Sequence, residues 1–162
     1  MVYLAYGSNV NPDVMKNRCP DSKYLGKGVI LNHKLSFNGD KFNSYLTIEK
    51  KQQSTVPVAI YELSNKDVKK LDIYEGYPRL YSKGIIRFVS ENKEIDHGLV
   101  YIMNDFKKGM PTVEYLNDVI EGYKRINLDT NNLKNAIEES LKNINIYDIS
   151  KKYQIKKRIK KL

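Results

Sequence analysis

Glu75 and the segment at residues 6–9 are the two features of the sequence whose residue types and spacing could carry out chemistry. Glu75 follows Val68 and Leu71 at helical spacing, so a helix over residues 65–75 would place all three side chains on one face. The helix dipole disfavours a carboxylate in the last turn, and burial disfavours its charge as well. Both effects raise a carboxyl pKa towards neutrality, as a general base requires. The alternative is that Glu75 lies exposed where the helix frays.

Residues 6–9, Tyr-Gly-Ser-Asn, form the second feature. The glycine ends an aromatic and aliphatic run that predicts a strand at residues 2–6, and a helix can follow the turn. Successive backbone N–H groups in such a turn can converge on an anion or an oxyanion. Most turns of this type are purely structural, which is the alternative interpretation.

Length, composition and charge limit the classes of protein that the sequence can encode. The chain has 162 residues, which fits one domain, and its 41% apolar and 10% aromatic residues exclude a wholly disordered chain. Of the net charge of +9, residues 147–162 carry +6, because seven basic residues there face one acidic residue. We therefore predict a domain over residues 1–146 and a basic C-terminal tail or helix over residues 147–162.

The sequence gives little support for a metalloprotein, a disulfide-bonded protein or a membrane protein. Cys19 is the only cysteine, and His33 and His97 are the only histidines, so no cluster has the spacing of metal ligands. We predict neither a metal nor a cofactor. Because no stretch approaches the roughly 18 apolar residues of a membrane span and the first residues lack a basic leader, we expect a cytoplasmic protein. The oligomeric state is left open.

The hydrophobic patterning predicts an α+β fold with a strongly bent sheet or a small barrel. Strands are expected at residues 2–6, within 24–37, and at 44–49, 56–63, 81–89 and 97–103, with turn residues at 38–40. Helices are expected after the caps Asn11, Ser64 and Thr112, and over the apolar pattern from Leu133 to Ile144. Residues 104–111 are expected to be a loop.

Two sequence motifs resemble those of the γ-glutamylcyclotransferase and AIG2-like family. Residues 6–9, followed by Asn11 and by Arg-Cys-Pro at 18–20, are similar to the opening of that family. Residues 71–81, Leu-Asp-Ile-Tyr-Glu-Gly-Tyr-Pro-Arg-Leu-Tyr, resemble the motif around its acidic catalytic residue. Weaker matches occur at Gly39, residues 46–49, residues 100–104 and Tyr115. The likeness covers about residues 2–128, and it is specific because the motifs occur together and in order.

The resemblance implies a fold, a reaction and a set of site residues. The implied fold is a small mixed barrel-like sheet with a few flanking helices. The implied reaction is cyclisation of a γ-glutamyl group to 5-oxoproline with release of an amine or amino acid. By position, Glu75 would be the proton acceptor, Tyr115 would contact the ligand, and Tyr81 would orient Glu75 or substrate. The substrate-binding residues would be Leu4, Ala5, Tyr6, Gly7, Ser8 and Asn9.

Other residues allow rival interpretations. Ser8 could be a hydrolase nucleophile, but it lacks the nucleophile-elbow pattern and only the two distant histidines could serve as its base. Arg18 could lower the pKa of Cys19, although the apolar neighbours of this cysteine favour a buried structural thiol. We expect His33 and His97 to be structural or surface residues.

The basic tail supports a competing function. Ile155, Ile159 and Leu162 stand at helical spacing among lysines, which predicts either an amphipathic basic helix or a solvated terminus. The alternative to an enzyme is therefore a non-catalytic binding module of the same fold. Such a module would use the tail to contact RNA or another acidic partner.

Overall fold

The computed structural model describes residues 1–104, 107–142, 149–160 and 162. Within them lie the strands β1 (Val2–Ala5), β2 (Lys23–Asp40), β3 (Asn43–Glu62), β4 (Tyr81–Ser90) and β5 (Ile95–Met103). The helices are α1 (Pro12–Arg18), α2 (Asn65–Tyr74), α3 (Val113–Arg125), α4 (Asn131–Lys142) and α5 (Ile149–Ile159), and a short 3₁₀ helix covers Ser8–Val10.

The five strands form a closed barrel in the order β1-β3-β2-β4-β5. All neighbouring pairs are antiparallel except β1 and β5, whose parallel contact places Tyr3 opposite Leu99 and closes the barrel. Closure removes the open sheet edges that would otherwise expose unpaired backbone groups. The prediction of an α+β fold with a barrel-like mixed sheet is confirmed.

The long β2–β3 hairpin differs in detail from the prediction. The two strands expected at residues 44–49 and 56–63 are parts of one strand, β3, because β2 pairs with both of them across an irregularity between Leu31 and His33. The hairpin reverses between Asp40 and Asn43, whereas the sequence predicted turn residues at 38–40. Gly39 is the next-to-last residue of β2 and has a φ of 139°, and a Cβ there would lie 3.0 Å from the Asn43 carbonyl oxygen. Glycine relieves this close approach of the two strand ends.

The predicted helix caps are present. The Asn11 side chain accepts a hydrogen bond from the Asp13 N–H, Ser64 accepts from Asp67, and Thr112 accepts from Tyr115. These caps satisfy N–H groups that the first turn of a helix leaves without partners. Because they fix where α1, α2 and α3 begin, they also fix which side chains those helices present to the barrel.

The core lies inside the barrel and beneath the last helices. The apolar face predicted for α3 is buried, with Leu116, Val119, Ile120 and Tyr123 all at most 5% exposed. The α4 pattern is confirmed from Leu133 to Leu141, whereas Ile144 lies outside the described residues.

The C-terminal segment contains a helix that packs on the body. In α5, Ile155 is 1% exposed, and Ile159 and Leu162 pack against the core. The predicted boundary after residue 146 lies outside the described residues and stays a prediction. Among the described residues, no helix is long and apolar enough to cross a membrane.

Candidate active site

A cavity of about 280 Å³ lies beside the end of β1, between the C-terminus of α2, the barrel wall and the start of α3. Aromatic side chains dominate its surface, and Glu75 is the only carboxylate among the described residues that line it. The lining residues are Tyr3, Tyr6, Gly7, Ser8, Asn9, Tyr45, Leu46, Tyr74, Glu75, Leu80, Tyr81, Tyr101 and Tyr115. A concave, largely apolar pocket with a few convergent polar groups is typical of a small-molecule site.

Glu75 is placed in the cavity by the end of α2. It is the C-cap residue, and its N–H donates to the Leu71 carbonyl over 2.8 Å. Gly76 follows with a φ of 64°, which takes the chain out of the helix. Leu71 is fully buried, so the face that it shares with Glu75 is turned inward, as the helical spacing predicts.

The environment of Glu75 raises its pKa. Burial raises the pKa of this carboxyl to about 7, while the positive charge of Arg18 and a hydrogen bond from Asn9 oppose the rise. Burial dominates because a carboxylate loses the hydration that stabilises its charge. A carboxyl group with this pKa exchanges protons readily near neutral pH.

Asn9 connects Glu75 to the first loop. Its Nδ2 donates to Glu75 Oε1 over 3.0 Å and to the Tyr3 hydroxyl over 2.9 Å. Its Oδ1 accepts from Arg18 over 2.5 Å. Asn9 is 4% exposed, so these contacts take the place of water. The two sequence features, 66 residues apart, thus meet in one hydrogen-bonded group.

The loop at residues 6–9 turns into the 3₁₀ helix Ser8–Val10 after its N-cap Gly7. The first N–H groups of a helix have no partner within it. The Tyr6 hydroxyl donates to the Tyr101 carbonyl. The backbone carbonyl of Tyr6 accepts from the Tyr123 hydroxyl over 3.0 Å. These two contacts fix the strand end from which Gly7, Ser8 and Asn9 enter the cavity.

Tyr81 and Tyr115 hold the opposite wall through the backbone of Leu46. The Tyr81 hydroxyl donates to the Leu46 carbonyl over 3.0 Å, and the Tyr115 hydroxyl accepts from the Leu46 N–H over 3.2 Å. A Cβ at Gly7 would lie 3.1 Å from the Tyr115 oxygen, so glycine allows the loop to approach this wall. The Tyr81 proton is therefore directed at backbone and not at Glu75.

Leu4 and Ala5 do not line the cavity. They lie in β1 opposite Ile60 and Ala59, and their side chains are 0% and 1% exposed. A side chain on Gly98 would meet Leu4 at 2.6 Å, which shows how tightly this part of the barrel is packed. Leu4 and Ala5 support the loop that follows them, while Tyr6, Gly7, Ser8 and Asn9 line the cavity.

Several lining residues were not singled out from the sequence. Tyr3 and Tyr45 lie on β1 and β3, and nothing in their local patterns marks them as neighbours. Tyr74 and Leu80 lie within the motif at residues 71–81 but were not named as site residues. The available signal is compositional, because the chain contains 13 tyrosines and no tryptophan. Seven of those tyrosines line the cavity, where their rings supply apolar surface and their hydroxyls supply polar atoms.

The residues that allowed rival interpretations of the sequence are Cys19, Ser8, His33 and His97. Cys19 is fully buried, and burial raises the pKa of its thiol to about 11, as the structural interpretation predicted. Ser8 Oγ accepts a hydrogen bond from Arg18 over 3.0 Å, and neither His33 nor His97 lines the cavity. The residues that the structure describes include no group of three or more potential metal ligands.

Fold and site together define a small closed-barrel protein with a tyrosine-lined pocket that contains the Glu75 carboxyl group. The model of the γ-glutamyl cyclotransferase, AIG2-like family matches residues 3–122 of this chain. The chain therefore belongs to that family, which points to a γ-glutamyl cyclotransferase-like function.

Solved structures support the fold. A protein named γ-glutamyl cyclotransferase superposes with a TM-score of 0.74 at 20% identity, over 100% of this chain and 99% of that chain. An uncharacterized human protein superposes with a TM-score of 0.71 at 19% identity, over 77% of this chain and 79% of that one. A mouse AIG2-like protein superposes with a TM-score of 0.56 at 18% identity, over 65% of this chain and 78% of that chain. No curated protein sequence gives a significant match.

Proposed function

We propose that this protein converts a γ-glutamyl amino acid or a γ-glutamylamine to 5-oxoproline and releases the amine, with Glu75 as general acid and base. The observation that carries the proposal is the position of the Glu75 carboxyl, which is partly buried in a tyrosine-lined cavity where desolvation raises its pKa to about 7. A carboxyl with an ordinary pKa would be too weak a base for this task at neutral pH.

The reaction is intramolecular, so the protein need not supply a nucleophile. The α-amine of the substrate, with a pKa near 8, is largely protonated at neutral pH. Glu75 takes one proton from this ammonium, the amine nitrogen attacks the γ-carbonyl carbon of the same molecule, and the ring nitrogen then gives its second surplus proton to solvent. A ring C–N bond forms, the bond from the γ-carbon to the leaving nitrogen breaks, and protonated Glu75 returns its proton to that nitrogen. The products are 5-oxoproline and the free amine.

The loop at residues 6–9 is suited to stabilising the tetrahedral intermediate. Gly7, Ser8 and Asn9 stand at the start of the 3₁₀ helix, where N–H groups lack helical partners. Such donors stabilise an oxyanion by roughly 3 kcal/mol each in other enzymes. The hydroxyl of Tyr115 and the ring of Tyr81 lie across the cavity, where they would contact and orient the substrate.

The decisive experiment measures 5-oxoproline released from γ-glutamyl amino acids and γ-glutamylamines. Glu75→Gln keeps the shape of the side chain but cannot accept a proton, so turnover should fall about 10²- to 10⁴-fold. The matched control is Glu62→Gln, which removes an exposed carboxylate at the end of β3. In the wild type, kcat/KM should rise with pH and level off above about 7, as Glu75 loses its proton. Unchanged turnover in folded Glu75→Gln would refute the mechanism.

The competing function is a binding module that uses the basic tail. Lys156, Lys157 and Lys160 are exposed near the end of the chain, while Ile155 faces the body. This outcome would be recognised by two results together: no turnover with any γ-glutamyl donor, and salt-sensitive RNA binding that is lost when residues 147–162 are deleted.

A further inference from the structure

Arg18 approaches the site without lining the cavity. It is the last residue of α1, and one of its terminal nitrogens donates both to Asn9 Oδ1 and to Ser8 Oγ. Its guanidinium lies 3.8 Å above the centroid of the Tyr74 ring, which restricts its orientation. Arg18 is thus held from one side by an aromatic face and from the other by the loop.

The contact with Arg18 decides which way the Asn9 amide points. The oxygen and nitrogen ends of an amide have nearly the same shape, so their hydrogen-bond partners determine the orientation. A guanidinium can only donate, so it requires the oxygen of Asn9. The nitrogen then faces Glu75 Oε1 and the Tyr3 hydroxyl. The reverse orientation would set two donors against each other and an amide oxygen against a carboxylate.

We propose that Arg18 is a positioning residue, which fixes the Asn9 amide so that its nitrogen holds the Glu75 carboxylate in place for proton transfer. This proposal rests on the proposed function. Arg18 acts on Glu75 through Asn9. It contacts Ser8, Asn9 and Tyr74 from behind the cavity wall and is not itself a lining residue.

The charge of Arg18 has a second, separable effect. It lowers the pKa of Glu75, against the larger effect of burial. Among the described residues, the other titratable groups that line the cavity are tyrosines: Tyr3, Tyr6, Tyr45, Tyr74, Tyr81, Tyr101 and Tyr115. Asp72, one helical turn before Glu75 on α2, is paired with Lys83 over 2.6 Å. Arg18 is therefore the cation whose removal should change the titration of Glu75 most.

The test separates position from charge. In Arg18→Met, the Glu75 carboxyl, followed by ¹³C NMR, should titrate about one pH unit higher. If charge were the whole effect, kcat would recover fully at high pH, where Glu75 is ionised in both proteins. Positioning predicts instead that the high-pH plateau of kcat stays about fivefold to tenfold low, with KM nearly unchanged. If Arg18→Met does not fold, Arg18→Gln is measured, with the same expectation for the plateau, because its neutral amide can donate or accept and no longer dictates the Asn9 orientation.

A double-mutant cycle shows whether Arg18 acts through Asn9. In an Asn9→Ala background, Arg18→Met should lower the plateau by no more than about twofold, because the amide that it orients is gone. The control is Arg125→Met, since Arg125 is exposed and bound to Asp13 over 2.7 Å; its plateau and titration should match the wild type. A full plateau in folded Arg18→Met, or an equal loss in both backgrounds, overturns the proposal.

The NMR titration also distinguishes this proposal from the proposed function, because it needs no turnover. A titration that moves with Arg18 in a protein inactive on every γ-glutamyl donor would defeat the reaction while showing that Arg18 acts on the Glu75 carboxyl. An active wild type in which neither the titration nor the plateau responds to Arg18 would defeat the positioning role alone.

Discussion

Glu75 is held where its charge is unfavourable, and this has consequences for stability as well as for chemistry. Its pKa rises from 4.5 to about 7 when the chain folds, with burial as the main cause. Between these two values the folded state binds more protons than the unfolded state. The free energy of unfolding therefore falls as pH rises from about 4.5 to 7, and the loss is complete above that range.

The first prediction follows from this linkage. Relative to the wild type, Glu75→Gln should gain up to about 3 kcal/mol in the free energy of unfolding between pH 4.5 and pH 8, at about 1.4 kcal/mol per unit of pKa. Urea denaturation at both pH values measures the difference, in which all other titrating groups cancel to first order. The control Glu62→Gln should change by less than about 0.5 kcal/mol. A Glu75→Gln difference that does not vary with pH would mean that burial leaves this pKa unchanged.

Residues near one another in the chain were easier to predict than those that meet only in the fold. The inward direction of Glu75 follows from its spacing to Leu71 within one helix. By contrast, the contact between Asn9 and Glu75 spans 66 residues, and the one between Tyr101 and Asp72 spans 29. No local periodicity encodes such contacts, because they depend on how the barrel closes.

At the scale of elements, the site depends on how α2 is attached to the barrel. Asp72 accepts a hydrogen bond from Tyr101 on β5 over 2.7 Å and pairs with Lys83 on β4 over 2.6 Å. Both charged side chains are about one-quarter exposed, so water screens the pair only in part. This contact joins α2 to two strands one turn before Glu75.

The second prediction concerns this attachment. Lys83→Met leaves the half-buried Asp72 without its cation and should lower the free energy of unfolding by about 1–3 kcal/mol. Because the end of α2 carries Glu75, turnover should fall as well. Lys23→Met is the matched control, since Lys23 pairs with Glu62 over 3.1 Å where both side chains are mostly exposed. Its effect should stay below about 1 kcal/mol. Urea denaturation of both variants tests the prediction, and equal losses would contradict it.

The elements themselves were predicted where sequence signals are local. Caps at Asn11, Ser64 and Thr112 marked helix starts correctly, because each side chain bonds within its own first turn. Strand limits were less accurate: β3 continues through residues 50–55, a polar stretch that an alternation pattern reads as a break. The pairing with β2 is irregular there: Leu31 pairs with Thr55 and His33 with Lys50, and the N–H of Gln53, whose φ is 60°, donates to Asn32 Oδ1.

For the whole molecule, the barrel supplies the cavity and the last three helices cover the outside. The helix α5 contacts α3 and α4, so the basic segment is docked at least through its middle. Ile155 occupies the contact with 1% of its surface exposed, while Lys156 and Lys157 beside it face water. The segment thus has one apolar face and one charged face, as its spacing predicts.

The last prediction distinguishes a docked helix from a solvated tail. Ile155→Ala removes buried methyl groups and leaves a cavity, so it should lower the free energy of unfolding by about 2–4 kcal/mol. Lys156→Ala, one residue further on, should change it by less than about 0.5 kcal/mol, because that side chain is exposed. Thermal unfolding of both variants, with turnover measured alongside, gives the comparison.

The residues that line the Glu75 cavity all lie between Tyr3 and Tyr115 in the sequence, before α5. Turnover at a temperature where both variants are folded should therefore match the wild type. Equal melting temperatures would place Ile155 in solvent. Lost turnover in folded Ile155→Ala would mean that α5 holds α3, and with it Tyr115, in position.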